Sequence, residues 1–435
     1  MPEALDVRQL RPMARSLDPL EGEALSGYLL RLAHRLGVDP LSLYVRTGLT
    51  GTRPEGTKIT RVSPALGFSL DDVSLDAFSR TTRLTRDEVT RLLVAPLGAR
   101  YGPLSTEYSK SQADERSRFV SPWVLSDGTQ YCPDCLAGDR SSRIEQAHGG
   151  AWQRLWRLSA VFACLRHERF LRQRCPDCGE QVQGEAKNLI ARPRDGGLHP
   201  TQCRASAPVE TLRAARAACG ADLAKSDQLR DFLPTASRSR KAVFATQARL
   251  LSFLASDGPE HVSSVGWLVP TAQYFTDLRT VSTLILMTWP EARPHAATPT
   301  LARILDQEAE QRHRAFENVR DTPGAYRRKV SVYIAPSENP TATAAVLEMA
   351  DRFLSVPDEH EAARYLEPLA VEATYIHRKV GYALRTRPGT SFPLQVALLA
   401  HRRDKSKDTT AEEIITMRGG FRRATREPGN VSWNR

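Results

Sequence analysis

Cysteine is absent from this 435-residue chain except between positions 132 and 219, where all seven of its cysteines lie. A secreted disulfide framework would follow an export signal, and residues 1–15 hold no apolar core of the length such a signal needs. A redox Cys-x-x-Cys normally stands alone beside a βαβ pattern, which is missing here. Long apolar runs are missing too. The nearest approach, Val281 to Met287, falls far short of the roughly eighteen residues of a membrane span and reads as a core segment. The expectation is therefore a cytoplasmic protein without a membrane partner. Familiar catalytic signatures are also lacking: no G-x-x-x-x-G-K-[ST] loop, no G-x-S-x-G elbow and no H-E-x-x-H helix occurs. A zinc deaminase needs His-x-Glu before Pro-Cys-x-x-Cys, but His167 is followed directly by Glu168. Negative charge is in deficit, with 50 acidic against 61 basic residues, a net charge of +11 and a pI near 9.5. At 41% hydrophobic and 26% charged, the balance is that of a globular protein of two or three domains.

What is present is concentrated in the middle of the chain. Cys132-Pro133-Asp134-Cys135 and Cys175-Pro176-Asp177-Cys178 are identical knuckles, and Cys164-Leu165-Arg166-His167 repeats their spacing. Two thiolates three residues apart on a tight turn reach one tetrahedral metal without strain. Cys203 and Cys219 complete eight candidate ligands, enough for two closed sites. Zinc suits them because it accepts sulfur and imidazole and has no redox chemistry. Filling both sites would lower the net charge to about +8.

Along the chain, residues 23–36 place Ala24, Leu25, Tyr28, Leu29, Leu32, Ala33 and Leu36 at helical spacing, closed by Gly37. Asp39-Pro40 opens a second helix as N-cap and first-turn proline, ending at Gly48. A third helix is expected over 75–83. Thr85 to Glu88 is a capping box opening a fourth, which continues to Pro96. These give two helix-turn-helix-like pairs, at about 23–48 and 74–96. In a DNA reader the second member would present Arg86, Thr90 and Arg91, although short helical hairpins without that role are commoner. Residues 97–131 read as loop, with Tyr101, Phe119 and Trp123 packing on the cysteine module. Around Trp152 and Trp156 a helix and a strand entering the knuckle are both compatible with the pattern. Residues 184–218 read as an extended insertion and 234–240 as a linker. Helical character returns at 241–255, 301–320, 342–355 and 361–385.

The fold expected is mainly α with small zinc-binding β or ribbon modules. Its parts are an N-terminal helix-turn-helix-like region (1–110), a zinc-finger module (111–233), an all-helical C-terminal domain (234–400) and a flexible basic tail (401–435). Positive charge favours a polyanion partner, since each phosphate contact releases counterions. An arginine-rich face (Arg154, Arg157, Arg166, Arg169, Arg172 and Arg174) is the candidate surface for DNA or an acidic protein. A solvated arginine-rich surface with no partner is the bland alternative.

The stretch Pro19-Leu20-Glu21-Gly22-Glu23-Ala24-Leu25-Ser26-Gly27-Tyr28-Leu29-Leu30-Arg31-Leu32-Ala33, followed by Tyr131, the first knuckle, Trp152, Trp156, Cys164-x-x-His167, Leu171 and the second knuckle, resembles the TniQ/TnsD family of transposition proteins. The likeness spans about residues 10–222. It implies a non-catalytic target-selection adaptor that links target DNA or a targeting complex to an AAA+ ATPase regulator and, through it, a DDE transposase. Some members of that family bind a DNA attachment site; others dimerise and couple to a CRISPR effector complex. The same likeness implies one zinc held by Cys132, Cys135, Cys164 and His167, and a second begun by Cys175 and Cys178. The chain departs from the pattern near its end, where Arg216 stands in place of a cysteine before Cys219 and Cys203 is the candidate replacement. Two other readings compete. One is a stand-alone sequence-specific DNA-binding regulator. The other is a zinc-ribbon nuclease with His148, His167 or His199 as base.

Overall fold

The computed structural model describes residues 10–14, 16–49, 67–105, 123, 129–139, 142–183, 197–205, 218–225, 233–234, 237–319 and 335–403. Phe119, Arg216 and the tail beyond Arg403 lie outside them. The chain forms two compact units. The first comprises residues 1–97, 113–248 and 337–343; the second comprises 98–112, 249–336 and 344–435. The N-terminal helices and the cysteine-bearing segment share the first unit.

In the first unit, α1 (Leu25–Leu36) and α2 (Pro40–Arg46) are followed by α3 (Asp72–Thr82) and α4 (Arg86–Arg91). Their local causes are those legible in the sequence. Gly37 terminates α1 in the left-handed conformation at φ 64°, which costs glycine nothing. Asp39 caps α2 by accepting from the Ser42 amide, with Pro40 in the first turn. Thr85 and Glu88 cap α4 reciprocally. Leu17, Leu25, Tyr28, Leu29, Leu32, Leu43, Phe78, Val89 and Leu92 close over one another as the core of this region.

Two expectations shift. Helix α1 starts at Leu25, because Glu23 is drawn into a bridge with Gln153 and the Ala24 amide donates to the Trp152 carbonyl. Helix α4 stops at Arg91 and is followed by a separate 3₁₀ turn at Ala95–Ala99. The motif glutamate has a use its sequence position conceals. Glu23 and Arg31, both with fully buried side chains, form a two-pronged pair at 2.7 and 2.5 Å. Arg31 also donates to the Asp18 carbonyl, and Glu23 accepts from the Leu20 amide. The pair ties the entering chain to α1.

The cysteine-bearing part of this unit contains α5 (Pro133–Ala137), α6 (Arg143–His148) and a two-stranded hairpin, β1 (Ala163–Cys164) with β2 (Arg169–Phe170). Trp152 lies in neither a helix nor a strand; a 3₁₀ turn at Arg154–Arg157 follows it. Both tryptophans are buried against each other, and the Trp152 indole donates to the Pro200 carbonyl.

The remaining helices are α7 (Arg238–Leu254), α8 (Thr271–Met287), α9 (Pro299–Val319), α10 (Pro340–Leu354), α11 (Glu359–Ile376), α12 (Arg378–Arg385) and α13 (Phe392–Arg403). The second unit is not all-helical. Strands β3 (His261–Ser264) and β4 (Trp267–Pro270) pair antiparallel across Val265-Gly266, both at positive φ, as a two-residue hairpin turn requires. Tyr101, expected against the cysteine module, belongs to this unit and packs on Phe275 of α8. Helix α8 extends ten residues N-terminal of the apolar run Val281–Met287. It is buried almost all round and carries threonines that bond back to carbonyls four residues earlier, such as Thr280 to Thr276. Such a helix shows no amphipathic period.

Candidate metal centres

Each cluster is assembled by short backbone devices. Cys132 precedes α5, whose first residue is Pro133, and Cys135 lies within that helix. Gly150 lets the chain return against it, since a Cβ there would stand 2.0 Å from the Cys135 carbonyl oxygen. Cys164 ends β1, and His167 lies in the turn to β2, where Glu168 takes φ 45°. Sγ of Cys135 is 3.6 Å from Sγ of Cys164. His167 Nδ1 is 3.4, 3.3 and 3.5 Å from the sulfurs of Cys132, Cys135 and Cys164.

The second cluster joins Cys175 and Cys178 to Cys203 and Cys219. Its sulfur separations include 3.9 Å for Cys175 to Cys219 and 3.8 Å for Cys178 to Cys203. Backbone bonds hold it: Gly179 to Cys175, Cys203 to Ala221 and Cys219 to Ala205. In each set all four ligand atoms lie within 4.8 Å of one another.

These spacings fit coordination. Four ligands about a tetrahedral ion at Zn–S about 2.3 Å and Zn–N about 2.0 Å stand roughly 3.5–3.8 Å apart. A disulfide would bring two sulfurs to about 2.0 Å, and all seven cysteines are free thiols. The electrostatics point the same way. Without a cation, hydrogen bonds from Cys132 and Cys135 hold the Cys164 thiol down to about 2, while Cys132 is raised to about 11 and Cys135 is raised as well. In the second cluster burial opposes ionisation of Cys175. Hydrogen bonds from the backbone of Cys178 and Asp177 and from neighbouring thiols nevertheless lower its pKa. Cys178 rises to about 11 and Cys203 also rises, both chiefly by burial. A cluster that favours one thiolate alone needs a cation to ionise the rest. Both sets can hold a metal ion.

Most of the candidate arginines are engaged in bonds within the chain. Arg154 is half-buried and donates to the carbonyls of Arg91 and Leu93, and Arg157 is buried. The backbones of Arg172 and Tyr131 exchange two hydrogen bonds at 2.7 Å, and the Tyr131 hydroxyl donates to the Arg174 carbonyl. Arg169 pairs with Asp134 of the first knuckle at 2.5 Å, and the exposed Arg166 pairs with Asp139 at 3.0 Å. Arg174 is exposed and pairs with Glu338 at 3.0 Å. In the N-terminal region Arg86 bonds Asp72 and Asp76, and Arg91 donates back to the Asp87 carbonyl.

A histidine group forms as well, one member of which was not singled out in the sequence. The His34 ring meets those of His148 and His199 edge to face, with centroids 5.1 and 5.0 Å away, and the Nδ1 atoms of His34 and His148 are 2.8 Å apart. His34 and His199 line a cavity of about 940 Å³ together with Glu145, Asp222 and Lys225. Burial first, then His34 and the arginines Arg31 and Arg35, lowers His148 to about 4; burial also lowers His34 and His199. The three come from distant segments, so no local spacing announces them.

Residues 14–171 match the TniQ family model. The chain carries a TniQ-family domain. The TniQ match takes in the buried Glu23–Arg31 pair and the whole first ligand cluster, and it ends at Leu171, just before Cys175. No curated protein and no solved structure matches the chain. Among the described residues no helix is long and apolar enough to cross a membrane.

Proposed function

We propose that this protein is a non-catalytic target-selection adaptor of DNA transposition, linking target DNA or a targeting complex to an AAA+ ATPase regulator and so to a DDE transposase. The observation that carries the reading is the TniQ match enclosing a complete Cys₃His set. In this reading zinc is the metal of both clusters. Four protein ligands leave no open position for substrate, which is the signature of a structural site. The zinc of the first cluster would be held by Cys132, Cys135, Cys164 and His167. The second would be held by Cys175, Cys178, Cys203 and Cys219, with Cys203 supplying the ligand that Arg216 does not. Metal binding then supplies folding energy to segments too poor in apolar area to fold alone.

The nuclease alternative weakens on the same geometry. His167 faces three thiols as a ligand, while His148 and His34 meet through their ring nitrogens. The test is co-capture: zinc-loaded full chain with an AAA+ transposition ATPase, ATP and duplex DNA, against DNA alone. Retention of the ATPase on the protein is expected. Tight binding to one DNA sequence with no ATPase retained would favour the stand-alone regulator.

A further inference from the structure

Two arginines of the second unit come together below its surface. Helix α8 is enclosed on nearly every side, and its one cation, Arg279, is half-buried. Arg387 reaches the same helix from the loop between α12 and α13. It is also half-buried, and its Nη1 donates to the Thr280 hydroxyl at 3.3 Å. Among the described residues that is the guanidinium's one hydrogen bond. The Arg387 backbone is held by a tight turn, Arg387-Pro388-Gly389-Thr390. The Thr390 amide donates to the Arg387 carbonyl at 3.3 Å and Gly389 takes φ 80°, as in a type II turn with proline second and glycine third. The Thr390 hydroxyl in turn stands 3.5 Å from that of Thr280.

The charges around Arg387 are unfavourable to it. Burial first, then the like charge of Arg279, holds its pKa well below the usual arginine range, and no described carboxylate opposes them. Asp277, two residues before Arg279, is turned elsewhere: it accepts from the Ser264 hydroxyl and the Ser391 amide. Burial pushes its carboxyl up to about 7. The groups left near Arg387 are hydroxyls. One turn before Thr280 on the same face, Thr276 is 2% exposed and its hydroxyl has no hydrogen-bond partner. A cation taken partly out of water beside another cation is costly unless an anion joins them.

We propose that Arg279, Arg387 and the Thr280 hydroxyl form a binding site for a phosphate dianion, taken up as the free ion or as the terminal phosphate of a small nucleotide. The guanidinium fork matches phosphate oxygens in pairs. Each guanidinium carries five N–H groups, so the bonds these two arginines make within the chain leave donors to spare. Two positive charges match a phosphate whose second ionisation lies at about pH 6 better than they match a carboxylate or a phosphodiester of single charge. Half-burial beneath a tight turn suits a terminal phosphate and not the continuous strand of a duplex. The inference is independent of the adaptor reading, whose carrying residues lie in the first unit.

The experiment titrates inorganic phosphate into the zinc-loaded full chain by calorimetry at neutral pH, with ionic strength held by sodium chloride and zinc content confirmed unchanged. One phosphate per chain is expected. Arg387→Gln and Arg279→Gln should each weaken binding roughly tenfold or more, as loss of a charged hydrogen-bond donor does. Arg387→Lys should weaken it less, since the charge stays and the fork is lost. Arg293→Gln, at the exposed pair with Asp306, should leave it unchanged. Melting separates a binding site from a structural arginine. Without phosphate, Arg387→Gln should melt no lower than wild type, because it removes a half-buried charge. In phosphate at about 100 times Kd, wild type should melt higher than the variant. Adenosine 5′-monophosphate, titrated in parallel, binds more tightly than phosphate if a nucleotide is the source and not at all if the free ion is. Wild type that binds no phosphate overturns the proposal, as does undiminished binding in Arg387→Gln. Arg387→Gln that melts below wild type without phosphate also overturns it, for the arginine would then serve the fold alone.

Discussion

At the scale of single residues, the buried Glu23–Arg31 pair is the most exposed to test. Removing one member of a buried ion pair strands the other charge without solvent, at a cost of about 3–5 kcal/mol. Glu23→Ala should therefore lose that much in urea unfolding, and Glu23→Gln distinctly less, because the amide still accepts from Arg31. The ligands make a different prediction. Cys132→Ser should lower zinc content from two ions per chain to one and leave the protein prone to aggregate, whereas Cys203→Ser should remove only the second ion. Elemental analysis of the purified proteins reads both.

The histidines predict a pH dependence. His148 titrates near 6.5 in the unfolded chain and about 4 in the folded one. The unfolded state then binds more protons below pH 6.5, so this contribution is fully present above 6.5 and is lost as pH falls toward 4. The groups facing it are His34, His199, Arg31 and Arg35. His148→Asn should flatten the fall in melting temperature between pH 7 and 5.5, the range in which zinc content can be confirmed unchanged.

At the scale of elements, fit decides more than propensity. Gly381 lets α12 touch the α11 backbone, and Gly381→Val should cost about 1–3 kcal/mol through overpacking, read as a lower melting temperature and earlier cleavage near residue 381. Much at this level was legible from the chain alone. Gly37, Asp39-Pro40 and the Thr85–Glu88 box act at the positions the sequence marks, because caps are local chemistry. The hairpin β3–β4 was not legible. Its register is fixed by distant partners: the Val265 amide donates to the Leu354 carbonyl, and Ser264 and Ser391 both bond the buried Asp277. Nor could spacing alone reveal that Arg154 is turned to structural hydrogen bonds. The six residues of the three short-spaced pairs, by contrast, could be read from the sequence, because a knuckle carries its own geometry; Cys203 and Cys219 join the second cluster from separate segments that no spacing links to it.

At the scale of the molecule, the two units differ in what holds them. The first contains both ligand clusters, and the second contains none among its described residues. Chelation of a zinc-loaded sample should accordingly open the first unit to protease while α8 and its neighbours stay protected. The adaptor reading rests on the TniQ match and the Cys₃His set that it encloses. It is tested most directly by reconstituted insertion, with DDE transposase, AAA+ ATPase, donor and target DNA, and the zinc-loaded protein added or withheld. Insertion that rises and concentrates at chosen target positions only when the protein is present is the result expected. Insertion unchanged by the protein, or DNA cleavage by the protein alone in divalent metal, would contradict the account.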